Sequence, residues 1–309
     1  MADYLIGAGG WAYFRIPGVH PLVAYSKAFN FVEVNSTFYQ IPRLKEVENW
    51  RKLVPPGFQF SVRAHRSITH KYKLQLKKEA IKTFETMQRI CKILNVDFLH
   101  LQTPRAVSPR DLVETLPDFL HSVNLGSIRL VLEIRGPSAS KLPNKLVETM
   151  RDHNIIHCVD LSKGETPAYE SDVLYSRLFG KGYHNIYQPT DEELREIDHK
   201  ASHRRFEKVV LSFHFVRMYK DAARLKIYKE TGKFPMVTRS TGLSSFEEVL
   251  REDARFPSTK QELISSQGWK LFDLNQDKRI HVKEYLDMLP ERTYQNVSDV
   301  LAALSSILR

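Results

Sequence analysis

The stretch RLVLEIR (residues 129–135) decides the fold. Successive side chains on a strand point to opposite faces. Leu130, Leu132 and Ile134 therefore make one apolar face, and Glu133 and Arg135 share the other. The same parity recurs along the chain. FVEVN (31–35) sets Val32 and Val34 against Glu33 and Asn35, and FQFSVRAH (58–65) sets Phe60, Val62 and Ala64 against Ser61, Arg63 and His65. DFLHLQ (97–102) sets Leu99 and Leu101 against His100 and Gln102, and VVLSFHF (209–215) sets Leu211, Phe213 and Phe215 against Ser212 and His214. With YLIG (4–7), IIHCVD (155–160) and VLYSRLF (173–179) there are eight such runs.

Amphipathic segments of helical length separate most of them. In KKEAIKTFETMQRICKIL (77–94), Ala80, Phe84, Met87, Cys91 and Leu94 recur at three- and four-residue spacing. Residues 43–54, 109–123, 142–154 and 190–200 read the same way, several opening on Pro or a Thr/Asp cap. Little room for a helix exists between the sixth and seventh strands. This rhythm predicts an α/β chain whose parallel βα units close into a (β/α)8 TIM-type barrel rather than an open doubly wound sheet. The inward face turns polar towards the C-terminal end of each strand, the end where such barrels carry out chemistry.

That registry gathers Glu33, Asn35, Arg63, His65, His100, Gln102, Glu133, Arg135, Asp160, Arg177 and His214 at one mouth. Guanidinium forks suit a phosphate or carboxylate in bidentate geometry. Arg63, Arg135 and Arg177 are the expected anion clamp. Glu33, Glu133 and Asp160 are the expected catalytic carboxylates, held ionised by the arginines or tuned upward by desolvation. Asn35, His65, His70, Gln102 and His214 are expected to touch substrate. The competing reading is a buried Arg–Glu network that only fills the upper barrel. Trp11, Tyr13, Phe14, Phe38 and Tyr39 fall on loops at the mouth, where rings either stack on a base or sugar, with Trp11 as the expected contact, or roof the barrel. Oxygen and imidazole ligands could gather a divalent metal, but there is no HxH pair, no HExxH and no cysteine-ligand spacing, and no cofactor is assigned. No P-loop, GxGxxG or GxSxG is present.

The 309 residues contain 46 Lys+Arg against 36 Asp+Glu, a net charge of +10 with pI near 9.4. From Arg255 onward eight basic residues face seven acidic ones, so nearly all the excess lies earlier. It is densest over 63–89, where eight Lys/Arg meet only Glu79 and Glu85. That field favours anionic partners, either small phosphorylated molecules or nucleic acid, unless it serves solubility alone. No apolar run approaches the about eighteen residues of a membrane span, and no basic-then-apolar leader opens the chain, so a cytoplasmic protein without membrane partners is expected. Cys91 and Cys158, both in apolar segments, read as buried thiols.

GAGGW (7–11), VEVNSTFYQIP (32–42), PPGFQFSVRAHRSITH (55–70), LQTP (101–104), EIRGPS (133–138) and YSRLFG (175–180) together resemble the DUF72, or YecE-like, family. The likeness covers roughly residues 4–230 and implies a TIM-type barrel without an established reaction. Two departures stand out. The family opening GTSGW appears as GAGGW, losing a hydroxyl. The last strand, where the family carries an aromatic–Asn–Asn motif, reads SFHFVRMYKDAARL, so roles tied to that motif are not carried over.

The tail differs in kind. A barrel over 1–240 and a small, mainly helical module over 255–309 are expected, joined by a Ser/Thr/Pro-containing stretch; the end of the module faintly resembles DUF2795, and its protein partner is unassigned. Asp273, Asn275, Asp277, Ile280 and Glu284 fit an EF-hand loop, but Lys278 stands where Gly should be and Arg279 follows it. A polar turn explains these letters better than calcium does. The expectation is a barrel enzyme, hydrolytic or phosphoester-directed, acting on an anionic substrate. A non-catalytic nucleic-acid-binding or adaptor protein is the alternative.

Overall fold

Period-2 alternation fixes register, because a slip of one residue would turn every apolar face the wrong way. The computed structural model describes residues 2–136, 141–202 and 206–308, and among them eight parallel strands form one sheet. They are β1 (Asp3–Ala8), β2 (Phe31–Val34), β3 (Gln59–Arg63), β4 (Phe98–Gln102), β5 (Arg129–Glu133), β6 (Ile156–His157), β7 (Val173–Leu178) and β8 (Lys208–Phe213). Their order is β6-β5-β4-β3-β2-β1-β8-β7. Val32 lies opposite Phe60, Val62 opposite Leu99 and Leu101 opposite Leu132, so apolar positions stay level around the ring. The ring closes just beyond β6: the Val159 N–H donates to the Tyr175 carbonyl at 3.2 Å, and the Arg177 N–H to the Val159 carbonyl at 3.1 Å. This is the (β/α)8 TIM-type barrel.

Helices α1 (Pro21–Ala28), α2 (Leu44–Lys52), α3 (Lys78–Leu94), α4 (Pro109–His121) and α5 (Asn144–Asp152) follow the first five strands in turn. The α3 stripe is realised: Ala80, Phe84, Met87, Ile90, Cys91 and Leu94 are fully buried. Each of the larger ones contributes on the order of 1.5–3 kcal/mol by leaving water. Helix α4 opens on a capping box, the Ser108 hydroxyl accepting from the Asp111 N–H and the Asp111 carboxylate accepting from the Ser108 N–H. After β6 only a 3-10 turn, Leu161–Lys163, precedes β7. Inside the ring, Phe31, Phe98, Val131, Val173 and Val210 belong to one apolar cluster. Two residues further along β2, β4, β5 and β8 stand Glu33, His100, Glu133 and Ser212, where the polar layer begins.

The chain divides into two compact units, residues 1–178 with 200–214 and residues 179–199 with 215–309, so the break is not the expected one near 240–255. The first holds all eight barrel strands. The second takes most of α6 (Asp191–Ser202), α7 (Met218–Thr231), α8 (Gly242–Asp253), α9 (Lys260–Gln267), α10 (Val282–Leu286) and α11 (Val297–Ile307). It has its own core around Phe246, Leu250, Phe272, Leu286, Val300 and Leu304.

Buried ions explain the grouping in the second unit. Asp191 accepts from Arg224 at 2.6 Å and from Arg279 at 2.9 Å, and Arg279 also reaches Asp273 at 2.9 Å. The EF-hand-like letters are accounted for by the same contacts. Asp273, fully buried, accepts from the Thr238 N–H at 2.8 Å and from Arg279, whose guanidinium takes the cation's place within the turn. Among the described residues no helix is long and apolar enough to cross a membrane.

Candidate functional site

The polar layer is organised around Arg177, which is 2% exposed and lies between two carboxylates. Its Nε sits 3.1 Å from both Glu33 oxygens and its Nη2 is 3.0 Å from Glu33 Oε1; its Nη1 donates to Glu133 Oε2 at 2.5 Å and to Gln102 Oε1 at 3.2 Å. Glu33 has no exposed surface and also accepts from the Tyr175 hydroxyl at 3.0 Å, which is 2.7 Å from the Ser61 hydroxyl. Burial alone would raise the Glu33 pKa; Arg177 and His214 outweigh it and hold the carboxyl well below its ordinary range. Glu133 behaves alike, burial being outweighed by Arg177, His100 and Arg135, the last donating from Nε at 2.7 Å. Of the two expectations for these carboxylates, ionised beside the arginines or tuned upward by desolvation, the geometry matches the first, with every oxygen engaged. Both carboxylates anchor the arginines.

Arg63 is different. It is 6% exposed, yet no described carboxylate lies within ion-pairing distance. Its Nη1 donates to Asn35 Oδ1 at 2.6 Å and its Nη2 to Gln102 Oε1, both neutral amide oxygens. Its Nε is buried without a partner, and its guanidinium carbon stands 3.5 Å from the centre of the Phe38 ring. Burial, with the charge of Arg177 added, pulls its pKa down to about 10. The mouth thus holds three guanidiniums, Arg63, Arg135 and Arg177, against Glu33 and Glu133.

The histidines do not alter that balance at neutral pH. Burial and Arg177 lower both His100 and His214, the latter to about 4. His100 Nε2 lies 3.1 Å from Glu133 Oε2, an ion-pair distance whose angle falls short of a hydrogen bond, and its Nδ1 has no partner. His214 Nε2 is 3.3 Å from Glu33 Oε1 and 3.1 Å from the Ser212 hydroxyl. At the rim, His70 is lowered by burial and then by Arg63, Arg135 and Arg66, which places three guanidiniums around one neutral imidazole. Also at the rim, His65 Nδ1 is 2.9 Å from the Ser67 hydroxyl. The loop carrying both turns through a π-helical segment, Ser67–Lys71, into two left-handed residues, Lys73 (φ 51°) and Leu74 (φ 57°). Such geometry costs energy and concentrates at functional sites.

Not every expected residue joins the central cluster. The Asp160 carboxylate turns aside to cap the 3-10 turn, accepting from the Ser162 N–H at 3.0 Å with Lys163 at 3.5 Å. Trp11 packs edge-on against Trp50, ring centres 5.3 Å apart, beside the mouth. Sequence reasoning missed Glu165, which accepts from the Asp160 N–H at 2.7 Å. Burial raises its pKa, with Asp160 and Glu133 adding to the rise. Its signal was the helix-free connector after β6, a segment with few other structural duties. A metal could draw on His100, Glu133 and Cys158, whose donor atoms lie within 4.8 Å of one another. Arg177, already on Glu133 Oε2, supplies positive charge there, and the Cys158 thiol is pushed up by burial. That donor set fits a divalent cation poorly.

The parallel ring of strands with a polar, arginine-rich layer at its C-terminal ends is that of a (β/α)8 barrel. Residues 5–228 match the family model described as protein of unknown function DUF72, and the chain is a member of that family. It is 30% identical over 121 residues to UPF0759 protein YecE of Escherichia coli K12; the stretch spans 39% of this chain and 43% of YecE, less than half of either. A DUF72 family protein from Thermotoga maritima superposes with a TM-score of 0.59 at 21% identity, covering 74% of this chain and 99% of that one. One from Enterococcus faecalis gives 0.59 at 17% identity, covering 75% and 98%. These structures share the fold.

Gly9, in the opening GAGGW, lies against the His214 imidazole at the end of β8. A Cβ at Gly9 would stand 2.2 Å from Cε1 of His214, so the imidazole fills the volume of a side chain at position 9. Gly9→Ala is therefore expected to destabilise the protein and dislodge His214, and His214→Ala to remove most of that penalty. A double-mutant cycle by urea unfolding checks this, and additive costs contradict it. Acid sensitivity follows from the same layer. His214 and His157, the latter lowered to about 4 by burial, stay neutral in the fold. An unfolded chain protonates them below about 6.5, so stability falls as pH drops from there towards 4. Below about 4.5, protonation of the unfolded carboxyls removes the contribution of Glu33 and Glu133 as well. The urea midpoint is expected to decline across this window, less steeply in His214→Gln; a flat profile contradicts the assignment.

Proposed function

We propose that the barrel mouth binds an anionic substrate, a phosphate ester first among them, between Arg63 and Arg135. The observation that carries this reading is the pairing of Arg63 with neutral amides alone. A buried cation without a counter-ion costs several kcal/mol. At 4 Å and an effective dielectric near 20, an incoming anion recovers gross Coulomb energy on the order of 4 kcal/mol. Arg135, 38% exposed and fixed by Glu133, offers a second guanidinium at the open side. Glu33, Glu133 and Arg177 form the rigid floor that holds this geometry.

Hydrolysis of a phosphoester is the reaction these groups serve best. His70, neutral at pH 7 and ringed by cations, accepts a proton from water. As that water attacks phosphorus and the ester P–O bond breaks, the leaving oxygen takes its proton from solvent at the open mouth. The exposed Lys71, Lys73, Lys77 and Lys78 favour a second reading, in which the rim holds a nucleic-acid backbone without catalysis.

Titration calorimetry with sulfate, which stays dianionic over the range, tests the anion site. Binding is expected to weaken at least about tenfold in Arg63→Gln, the loss of one charge-assisted contact. It is expected to strengthen as acidification below the ordinary histidine range charges His70, and to lose that pH dependence in His70→Asn. Equal sulfate affinity in the wild type and Arg63→Gln contradicts the proposal. Binding of generic DNA that falls steeply with salt yet ignores Arg63→Gln supports the second reading.

A further inference from the structure

Beside the mouth runs a groove of about 500 Å³, lined by Ser36, Tyr39, Arg43, Glu46 and Trp50 among others. That volume exceeds a phosphate and falls within the range of small-molecule sites. It begins one residue after Asn35, the partner of Arg63, and is backed by Trp50. Its wall is Tyr39, a ring left 63% exposed. The inner side of that ring meets Phe38 edge-on, centres 5.0 Å apart, and Phe38 carries the Arg63 guanidinium at 3.5 Å. Phe38 is thus the one ring between Tyr39 and the Arg63 guanidinium in this stack.

The wall is fixed in place. The Thr37 hydroxyl donates to the Arg63 carbonyl at 2.6 Å, and the Tyr39 N–H donates to the Ser36 carbonyl at 3.0 Å. A ring held open to solvent on one face, anchored from behind, binds a flat partner at little ordering cost. At the far end, Glu46 and Arg43 are both exposed. A carboxylate accepts from ring amines and a guanidinium donates to ring carbonyls, the chemistry by which base edges are read.

Resting on the anion site argued above, we propose that this groove receives the base of a nucleoside phosphate, stacked on Tyr39 with its phosphate at Arg63 and Arg135. The same group is presented by a free nucleotide and by the end of a single strand. Stacking a base on one aromatic ring raises affinity by roughly tenfold or more.

The test compares inorganic phosphate, ribose 5-phosphate, AMP and a 5′-phosphorylated single-stranded oligonucleotide on the full chain by calorimetry. AMP is expected to bind about tenfold more tightly than phosphate or ribose 5-phosphate. The AMP-to-phosphate ratio is expected to fall to about one in Tyr39→Ala and to persist in Tyr39→Phe. Because Tyr39 is exposed, both variants should fold as the wild type does. An oligonucleotide that outbinds AMP identifies a strand as the source, and one that does not identifies the free nucleotide. Phosphate binding with no preference for AMP overturns the base site and leaves the anion site standing. No phosphate binding to the wild type overturns both.

Discussion

A guanidinium with no water around it must find its counter-charge in the protein, and Arg177 finds it twice. Glu33 takes its Nε and Nη2, and Glu133 its Nη1, across strands β2, β5 and β7. Removing one partner from a buried pair of this kind costs about 3–5 kcal/mol, because the other charge is then stranded. The triad therefore fixes more than stability. It holds Gln102 and Arg135 through hydrogen bonds, its arginine adds to the burial that lowers His100 and His214, and it spends both carboxylates of the floor. One guanidinium, Arg63, is left to the amides of Asn35 and Gln102, and on this residual charge the proposed anion site rests.

Spending the carboxylates reshapes the chemistry available. Acids locked as anions inside a cationic shell cannot deliver a proton at pH 7. The proposed hydrolysis therefore looks outward for its base, to His70 on the loop after β3, while the loop after β6 carries Glu165, whose pKa burial raises. Both loops are irregular, one π-helical and left-handed, the other without a helix, as is usual where a barrel places function on its βα connections.

Much of this was legible before any coordinates. Strand parity is a local property with a period of two, so each run announced which residues face inward, and ring closure alone then gathered Glu33, Arg63, His100, Glu133, Arg177 and His214. What parity cannot announce is pairing. That Glu33 belongs to Arg177 while Arg63 has only amides depends on rotamers and on levels within the barrel. Asp160 satisfied parity yet turned to cap its own 3-10 turn, a competition that short acidic side chains often win next to a turn. The tail misled for a related reason: Arg279 seemed only to spoil a calcium loop, whereas its partner Asp191 lies 88 positions away. Gly9 and His214 lie far apart in the sequence, and only the fold sets the imidazole against the glycine.

The central claim is that Arg63 carries a charge the empty protein does not need. Unfolding free energy in anion-free buffer reads this directly, comparing Arg63→Met with Arg177→Met. The account predicts that Arg63→Met is as stable as the wild type or more so, while Arg177→Met loses about 3–5 kcal/mol. An equal, large loss in both variants would make Arg63 one more satisfied member of a structural network, with no vacancy for an anion.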